Sequence, residues 1–323
     1  MTTLELRPLA PVDLTGHRLG QPQRAGALTM VPVFGPSYPG IAPPRTGLKL
    51  TRVDGYGRVV LSNPGTSGVA IVPLHIGYVQ DGAQNHALCR SGFLAAGQEL
   101  LFPDACCVQA SQGGYLAERD QWFFILPVEL RGTALDLRGV ANYNKLWPAI
   151  ATLNRGYGLP ARGHLEQVLT RQRTALTQYQ SRLEPQPGQL GALFFVGERL
   201  AGIEIAPDPR YFAEVWMALV CFAYGPAAWH ARHPAPPTDP YDVSTVEELR
   251  DALAADRRAV TDEVRGWLAD PGWNAAERTE EERFLDLRLS TVTGDGVGGQ
   301  VVTAGERLIY ASLFARALAP QSA

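Results

Sequence analysis

Between Gly26 and about Leu130 the apolar residues come in short β-branched and aromatic runs, each cut off by Gly, Pro, Asn or Asp. A chain punctuated this closely has no room for long helices, but it suits a sheet of short antiparallel strands. The runs ALTMVPVFG, GRVVLSN, GVAIVPLHIGYV, FLAAGQELLF, ACCVQA and QWFFILPVEL each fit a strand. The sequence NPGTSG between two of them reads as a tight turn. The spacing predicts an antiparallel sandwich or barrel-like β domain over residues 26–135, preceded by an N-terminal arm over 1–25.

Past this region the period changes. Leu165, Val168, Leu169, Gln172, Leu176, Tyr179 and Leu183 recur at helical steps, which predicts one amphipathic helix ending before Pro185. LGALFFV and RLAGIEI flank Gly197-Glu198, a two-residue turn of the kind that closes a hairpin. A second helix with a wide apolar face follows Pro209 and carries Tyr211, Phe212, Val215, Trp216, Leu219 and Val220. This helix-hairpin-helix region, 136–228, runs into a Pro-rich linker over 229–243. Ser244 with Glu247 then makes a capping box, and Val246, Leu249, Leu253, Val260, Val264 and Trp267 continue a helical stripe. FLDLRLSTV and GGQVVTAGERLIYASLF close the last region, 244–323, as another hairpin. The turn sequence GERL occurs at Gly197–Leu200 and again at Gly305–Leu308, either one turn solution found twice or one hairpin duplicated. The fold class expected is α+β, an N-terminal β domain with a C-terminal half of helices and β-hairpins packed on it.

At 323 residues and 46% hydrophobic, the chain can bury a core without disulfide or metal staples. Its 29 basic and 32 acidic residues nearly cancel, so no net field marks a nucleic acid or an anionic membrane as partner. No segment reads as a membrane span. The N-terminal MTTLELRPLAPVDL carries Glu5 and lacks the continuous apolar core of a secretory signal. Cysteine is sparse, with Cys89, Cys106, Cys107 and Cys221, and the expectation is free thiols in a cytoplasmic protein.

The stretch DGAQNHALCR, Asp81 to Arg90, places an amide pair, an imidazole and a thiol where one strand ends and the next begins. Asn and His in such a position commonly serve the turn itself, while loops also carry binding side chains, so both readings stand. His86 and Cys89 have an H-x-x-C spacing that His75 and Cys106 or Cys107 could complete. Adjacent cysteines make a poor chelating pair, so no metal is expected. Cys107 with His86 would make a thiol–imidazole nucleophile if the fold joined them; otherwise Cys107 is a small core residue. There is no G-x-S-x-G elbow, P-loop or strand-to-helix G-x-G-x-x-G, and GDGVGG reads as a hairpin loop, so no cofactor is implied.

Two neighbouring pieces, GAQNHAL and CCVQASQGGYL, resemble the paired signatures of the domain family named for its association with ADP-ribosylglycohydrolase and rhodanese-phosphatase proteins. Those signatures are a Gly-Ala-Lys-Gln-Asn-Arg stretch and a Ser-Cys-Val-Glu stretch with a Gly-Arg-Trp ending. GQLGALFFVGERLAGIEIAPDPRYFAEVWMALVCFAYG and the closing LRLSTVTGDGVGGQVVTAGERLIYASLF are similar to further parts of the family, so the resemblance covers about residues 26–316. Gln84 and Asn85 fall on the family's amide pair, whereas His86 stands where Arg is usual and Ala83 where Lys is usual. Cys107 and Val108 match, Gln109 replaces the Glu, and Gly114-Tyr115 replaces Arg-Trp. An amide is neither a general base nor a strong metal ligand, so family chemistry that needs the acid would be missing here.

The site these motifs predict consists of Gln84, Asn85, His86, Cys107, Gln109 and Tyr115, with no catalytic residue and no metal ligand assigned. If the two stretches lie side by side, Asn85, His86 and Gln109 line one polar concavity. The function expected is a non-enzymatic binding or accessory protein, which the resemblance links to nucleotide, ADP-ribose or RNA-repair metabolism. Its ligand would be small and polar or nucleotide-like, with a protein partner as the other occupant weighed. One alternative is a hydrolase or transferase acting on an ADP-ribosyl or phosphorylated substrate through His86 and Cys107. The other is a structural interaction module in which the same residues are turn and core groups.

Overall fold

The computed structural model describes residues 12–79, 84–110, 122–231, 241–269, 273 and 276–316. In chain order its principal strands are β1 (Leu28–Phe34), β2 (Ile76–Val79), β3 (His86–Ala87), β4 (Cys106–Cys107), β5 (Trp122–Ile125), β6 (Gly191–Val196), β7 (Arg199–Ile205), β8 (Glu277–Phe284), β9 (Leu287–Thr293), β10 (Val297–Ala304) and β11 (Arg307–Ala315). The helices that matter below are α1 (Val128–Asp136), α2 (Trp147–Gly156), α3 (Pro209–Met217), α4 (Gly225–His230) and α5 (Val246–Ala269). The fold class is α+β, built on a large antiparallel sheet with smaller sheets beside it.

The large sheet has nine strands, in the order Arg18–Leu19, β1, β6, β7, β11, β10, β9, β8, with Gln23–Ala25 also paired to β1. Strands from both ends of the chain therefore meet in one sheet. The two GERL turns join β6 to β7 and β10 to β11, and β7 pairs with β11, so the two hairpins stand back to back. Both faces of the sheet are covered. Leu28, Met30, Phe194 and Phe314 pack into the main core with the helices and small strands. Val31, Val33, Phe195 and Leu313 pack on the other side, where Val264 and Trp267 of α5 cover them. Burial on two faces explains why LGALFFV and LIYASLF are nearly unbroken apolar runs rather than alternating ones. The outermost strand, β8, reads ERTEEERF, and charge on an exposed edge opposes pairing with another chain.

A second, four-stranded sheet carries the motif region in the order β4, β3, β2, β5. Its register sets Cys106 opposite Ala87 and Cys107 opposite His86, so the two signature stretches are direct neighbours.

Six local expectations need correction. GVAIVPLHIGYV is two strands, Val69–Val72 and Ile76–Val79, separated at Pro73–His75, and FLAAGQELLF is two, Gly92–Ala95 and Glu99–Phe102, turned at Gly97 with φ +73°; in both cases the two strands join different sheets. QWFFILPVEL is a strand only to Ile125; Pro127 ends it and starts α1, its ring fixing a φ of −48° suited to helix entry. The predicted helix over 165–183 is three short pieces, Glu166–Arg171, Arg173–Leu176 and Tyr179–Arg182, broken where Gln172 leaves helical geometry (φ −94°, ψ 0°). The cap of α5 uses Thr245 and Glu248, one residue later than Ser244 and Glu247, because the sequence offers the same spacing in two overlapping registers; Thr245 Oγ1 accepts from Glu248 N at 3.1 Å, and Glu248 Oε2 from Ser244 N at 2.7 Å. The closing hairpin is a four-strand meander, β8 to β11.

The helical run Pro209–His230 is also long and apolar enough to cross a membrane, but 72% of its most apolar stretch is buried inside the fold. It packs as a core helix.

Candidate functional site

β3 and β4 are only two residues long, and side chains complete what so short a ladder leaves open. Val108 N donates to Asn85 O at 2.9 Å, and Asn85 N donates to the side-chain oxygen of Gln109 at 3.1 Å. The Cys107 thiol donates to Gln84 Oε1 at 3.4 Å and to Gln109 O at 3.2 Å. His86 Nδ1 lies 2.7 Å from Gln84 O, and its Nε2 accepts from Gly57 N at 3.2 Å. That pattern assigns the neutral tautomer with the proton on Nδ1, and burial holds the imidazole pKa below its ordinary value. With both ring nitrogens taken by backbone groups, His86 has no lone pair for the Cys107 proton.

The resemblance sets the stretches of Gln84, Asn85 and His86 and of Cys107 and Gln109 side by side, and all five residues are in one hydrogen-bonded cluster, with Asn85, His86 and Gln109 buried rather than lining an open concavity. Their exposures are 9%, 2%, 3%, 0% and 1% respectively, so the side chains lie under the surface. Tyr115 lies outside the described residues. Gln109 also bridges in antiparallel fashion to His164.

Above this cluster stands a group of aromatic residues that sequence reasoning passed over. Tyr56 and Tyr143 stack with ring centroids 4.7 Å apart and planes 28° from parallel. Trp147, at the start of α2, meets Tyr143 edge-on at 5.7 Å and 89°. Each is tied to a motif residue. Cys107 N donates to Tyr143 O at 2.8 Å, the Trp147 indole N–H donates to Cys107 O at 3.1 Å, and Gly57, beside Tyr56, donates to His86. Gly57 has a φ of +75°, and a Cβ there would sit 3.0 Å from Tyr143 Cβ. A side chain at 57 would press against the stack.

A second buried polar centre lies against the large sheet. Arg131 of α1 is fully buried and donates to Glu204 Oε1 (2.7 Å), Tyr224 OH (3.2 Å), Ser312 Oγ (2.5 Å) and His75 Nδ1 (3.3 Å). Tyr224 and Ser312 in turn donate to the two Glu204 oxygens, each at 2.7 Å. Gly202 makes this possible, since a Cβ there would fall 1.9 Å from the Tyr224 hydroxyl. Burial, then the Arg131 charge, pushes the His75 pKa well down, consistent with Nδ1 accepting from the guanidinium. The signal in the sequence was a single charge inside each of two short apolar runs, Arg131 in LRGTAL and Glu204 in LAGIEIAP. A small recess beside Glu204, walled by Ile125, Tyr211, Phe212 and Tyr310, includes none of the motif residues.

All four cysteines are free and buried. The Cys89 and Cys106 sulfurs are 3.2 Å apart, and Lys145 is held nearby by the carbonyls of Asp104, Leu137 and Val140 at 2.7, 2.8 and 2.7 Å. The bond to Cys106 is the main cause lowering the Cys89 pKa. Among the described residues no three His, Cys, Asp or Glu side chains are grouped to hold a metal ion.

An α+β domain whose short paired strands carry a Gln-Asn and a Cys-Val signature is thus the class defined by fold and site. The sequence model of the ARG and Rhodanese-Phosphatase-superfamily-associated Protein (ARPP-1) domain matches residues 16–314, and the chain belongs to that family. No curated protein and no solved structure matches it.

Proposed function

We propose that this chain is a non-enzymatic binding or accessory protein of the cytoplasm, serving nucleotide, ADP-ribose or RNA-repair metabolism. In this reading a small polar or nucleotide-like ligand binds at the face built on Gln84, Asn85, His86, Cys107, Gln109 and Tyr115. The family's name, which associates it with ADP-ribosylglycohydrolase and rhodanese-phosphatase proteins, supports an accessory role.

The observation that carries the reading is the state of His86. Both its ring nitrogens are engaged by backbone, at 2.7 and 3.2 Å, and the neighbouring position that holds Glu in the family is the amide Gln109. General acid–base work needs a group free to take or give a proton at the substrate, and these two are not such groups.

The test is an unbiased ligand screen of the whole chain by thermal shift, since a ligand at a hundred times its Kd adds about 2.7 kcal/mol of stability. Hits are then assayed for turnover. Binding without turnover is the expected result. Hydrolysis of an ADP-ribosyl or phosphoester compound by the wild-type chain, abolished by Cys107→Ala, would overturn it in favour of an enzyme.

A further inference from the structure

We infer that the ligand-contacting surface of this face is the aromatic stack of Tyr56, Tyr143 and Trp147, and that it takes a planar nucleobase laid against Tyr56. The inference rests on the proposed binding role and gives it a chemical class.

Exposure is the first reason. An aromatic side chain gains most by burial, yet Tyr56 is 58% exposed. Among the described residues the only other Phe, Tyr or Trp counted as exposed is Tyr241, at 42%, and its hydroxyl is bonded to Asp256. Tyr56 instead presents a ring that is already half of a stack.

Rigidity is the second. The turn carrying Tyr56 is closed by Asp54 N to Arg58 O at 2.8 Å and by Ala105 N to Gly57 O at 2.9 Å. Below it, Tyr143 is fixed through its carbonyl and Trp147 through its indole, both to the Cys107 backbone. A surface ordered before the ligand arrives loses little entropy on binding. This also gives the buried signature residues a task that suits their burial. His86 and Cys107 hold the rings in place from beneath and do not touch the ligand.

Shape and charge give the class. Two rings 28° from parallel extend naturally by a third flat ring, and a nucleobase offers such a π-face whatever its hydrogen-bonding edge. Arg58, two residues past Tyr56 and about half exposed, is paired to Asp54 at 3.5 Å, and a phosphate on the same ligand would compete with Asp54 for it. A free nucleotide and an unpaired base of a nucleic acid share this chemistry.

The experiment is calorimetric titration of the full chain with AMP, ADP-ribose, a short oligoadenylate and, as a probe lacking the base, ribose 5-phosphate. Saturable binding of a base-bearing probe but not of ribose 5-phosphate is expected. Tyr56→Ala should weaken it about tenfold or more at unchanged melting temperature, and Tyr56→Phe should restore it. Preference for AMP or ADP-ribose marks a free nucleotide as the source; preference for oligoadenylate marks a nucleic acid, and either supports the stack. The inference is overturned if none of the three base-bearing probes binds, or if Tyr56→Ala and Tyr143→Leu both bind as the wild type does. Should the thermal-shift screen at the same time find a ligand with no aromatic ring, the binding role stands without the stack. If that screen finds no ligand of any kind, the binding role fails as well.

Discussion

Around Arg131 the buried polar groups include a charge pair, Arg131 with Glu204, and each bond runs from one side chain to another across segments as distant as His75 and Ser312. Around His86 they are neutral, and these bonds join a side chain to backbone, two of them only two residues away along the chain and the third reaching Gly57. The two centres are equally deep, so burial alone does not tell them apart. What differs is the consequence of removing a partner. Loss of Arg131 leaves Glu204 as a buried, uncompensated carboxylate, whereas loss of His86 leaves only a neutral donor and acceptor unmet. The charged centre determines which parts of the chain come together, and the neutral one supports a surface.

The sharpest way to break this contrast is Arg131→Ala, expected to cost about 3–5 kcal/mol by urea denaturation, a large part of a domain's usual 5–15 kcal/mol. Combining Arg131→Met with Glu204→Leu should recover part of it. Equal costs for Arg131→Ala and His86→Ala would dissolve the distinction.

Acid comes next. His75 and His86 both have pKa values lowered by burial, and His17 and His164 share the direction for the same cause. The unfolded chain therefore binds protons that the folded one refuses. Stability from these groups is fully present above about pH 6.5 and falls as the pH drops toward their folded values, at up to about 1.4 kcal/mol per pH unit for a buried histidine that stays neutral, such as His75, and less for the half-exposed His17 and His164. Urea midpoints between pH 7.5 and pH 5.5 should fall accordingly, and a flat profile over that window would contradict the tautomers assigned above.

His86→Ala should cost about 1–3 kcal/mol through the unmet Gly57 N–H and Gln84 carbonyl, and its acid profile should be shallower than wild type. A midpoint unchanged from wild type would mean that the imidazole does not hold that turn. The smallest effect belongs to Tyr56→Ala, within about 0.5 kcal/mol of wild type because the ring is 58% exposed. A larger loss would make Tyr56 a structural residue rather than a binding one.

The hairpin of β6 and β7 was readable because Gly197-Glu198 stands between two apolar runs with no competing signal. Strand β8 was not, since an edge strand is paired on one side and its ERTEEERF carries no apolar alternation. The side-by-side placement of Gln84–His86 and Cys107–Gln109 came from the family resemblance, and no local pattern fixes a register between two-residue strands. Tyr56, Tyr143 and Trp147 escaped notice because each, taken alone, reads as an ordinary core aromatic. Only the folded chain shows that the first of them stays at the surface.

Lysine is scarce here, with Lys49 and Lys145 the two in the sequence. The second has all three ammonium hydrogens directed at the carbonyls of Asp104, Leu137 and Val140. An amine-reactive dye or cross-linker meets an exposed amine at Lys49 and, at Lys145, a half-buried one whose hydrogens are already bonded, so Lys49 takes the label first while the native fold lasts. Reaction at Lys145 thereby becomes a chemical clock for the opening of the loop that ties the aromatic stack to the thiol strands.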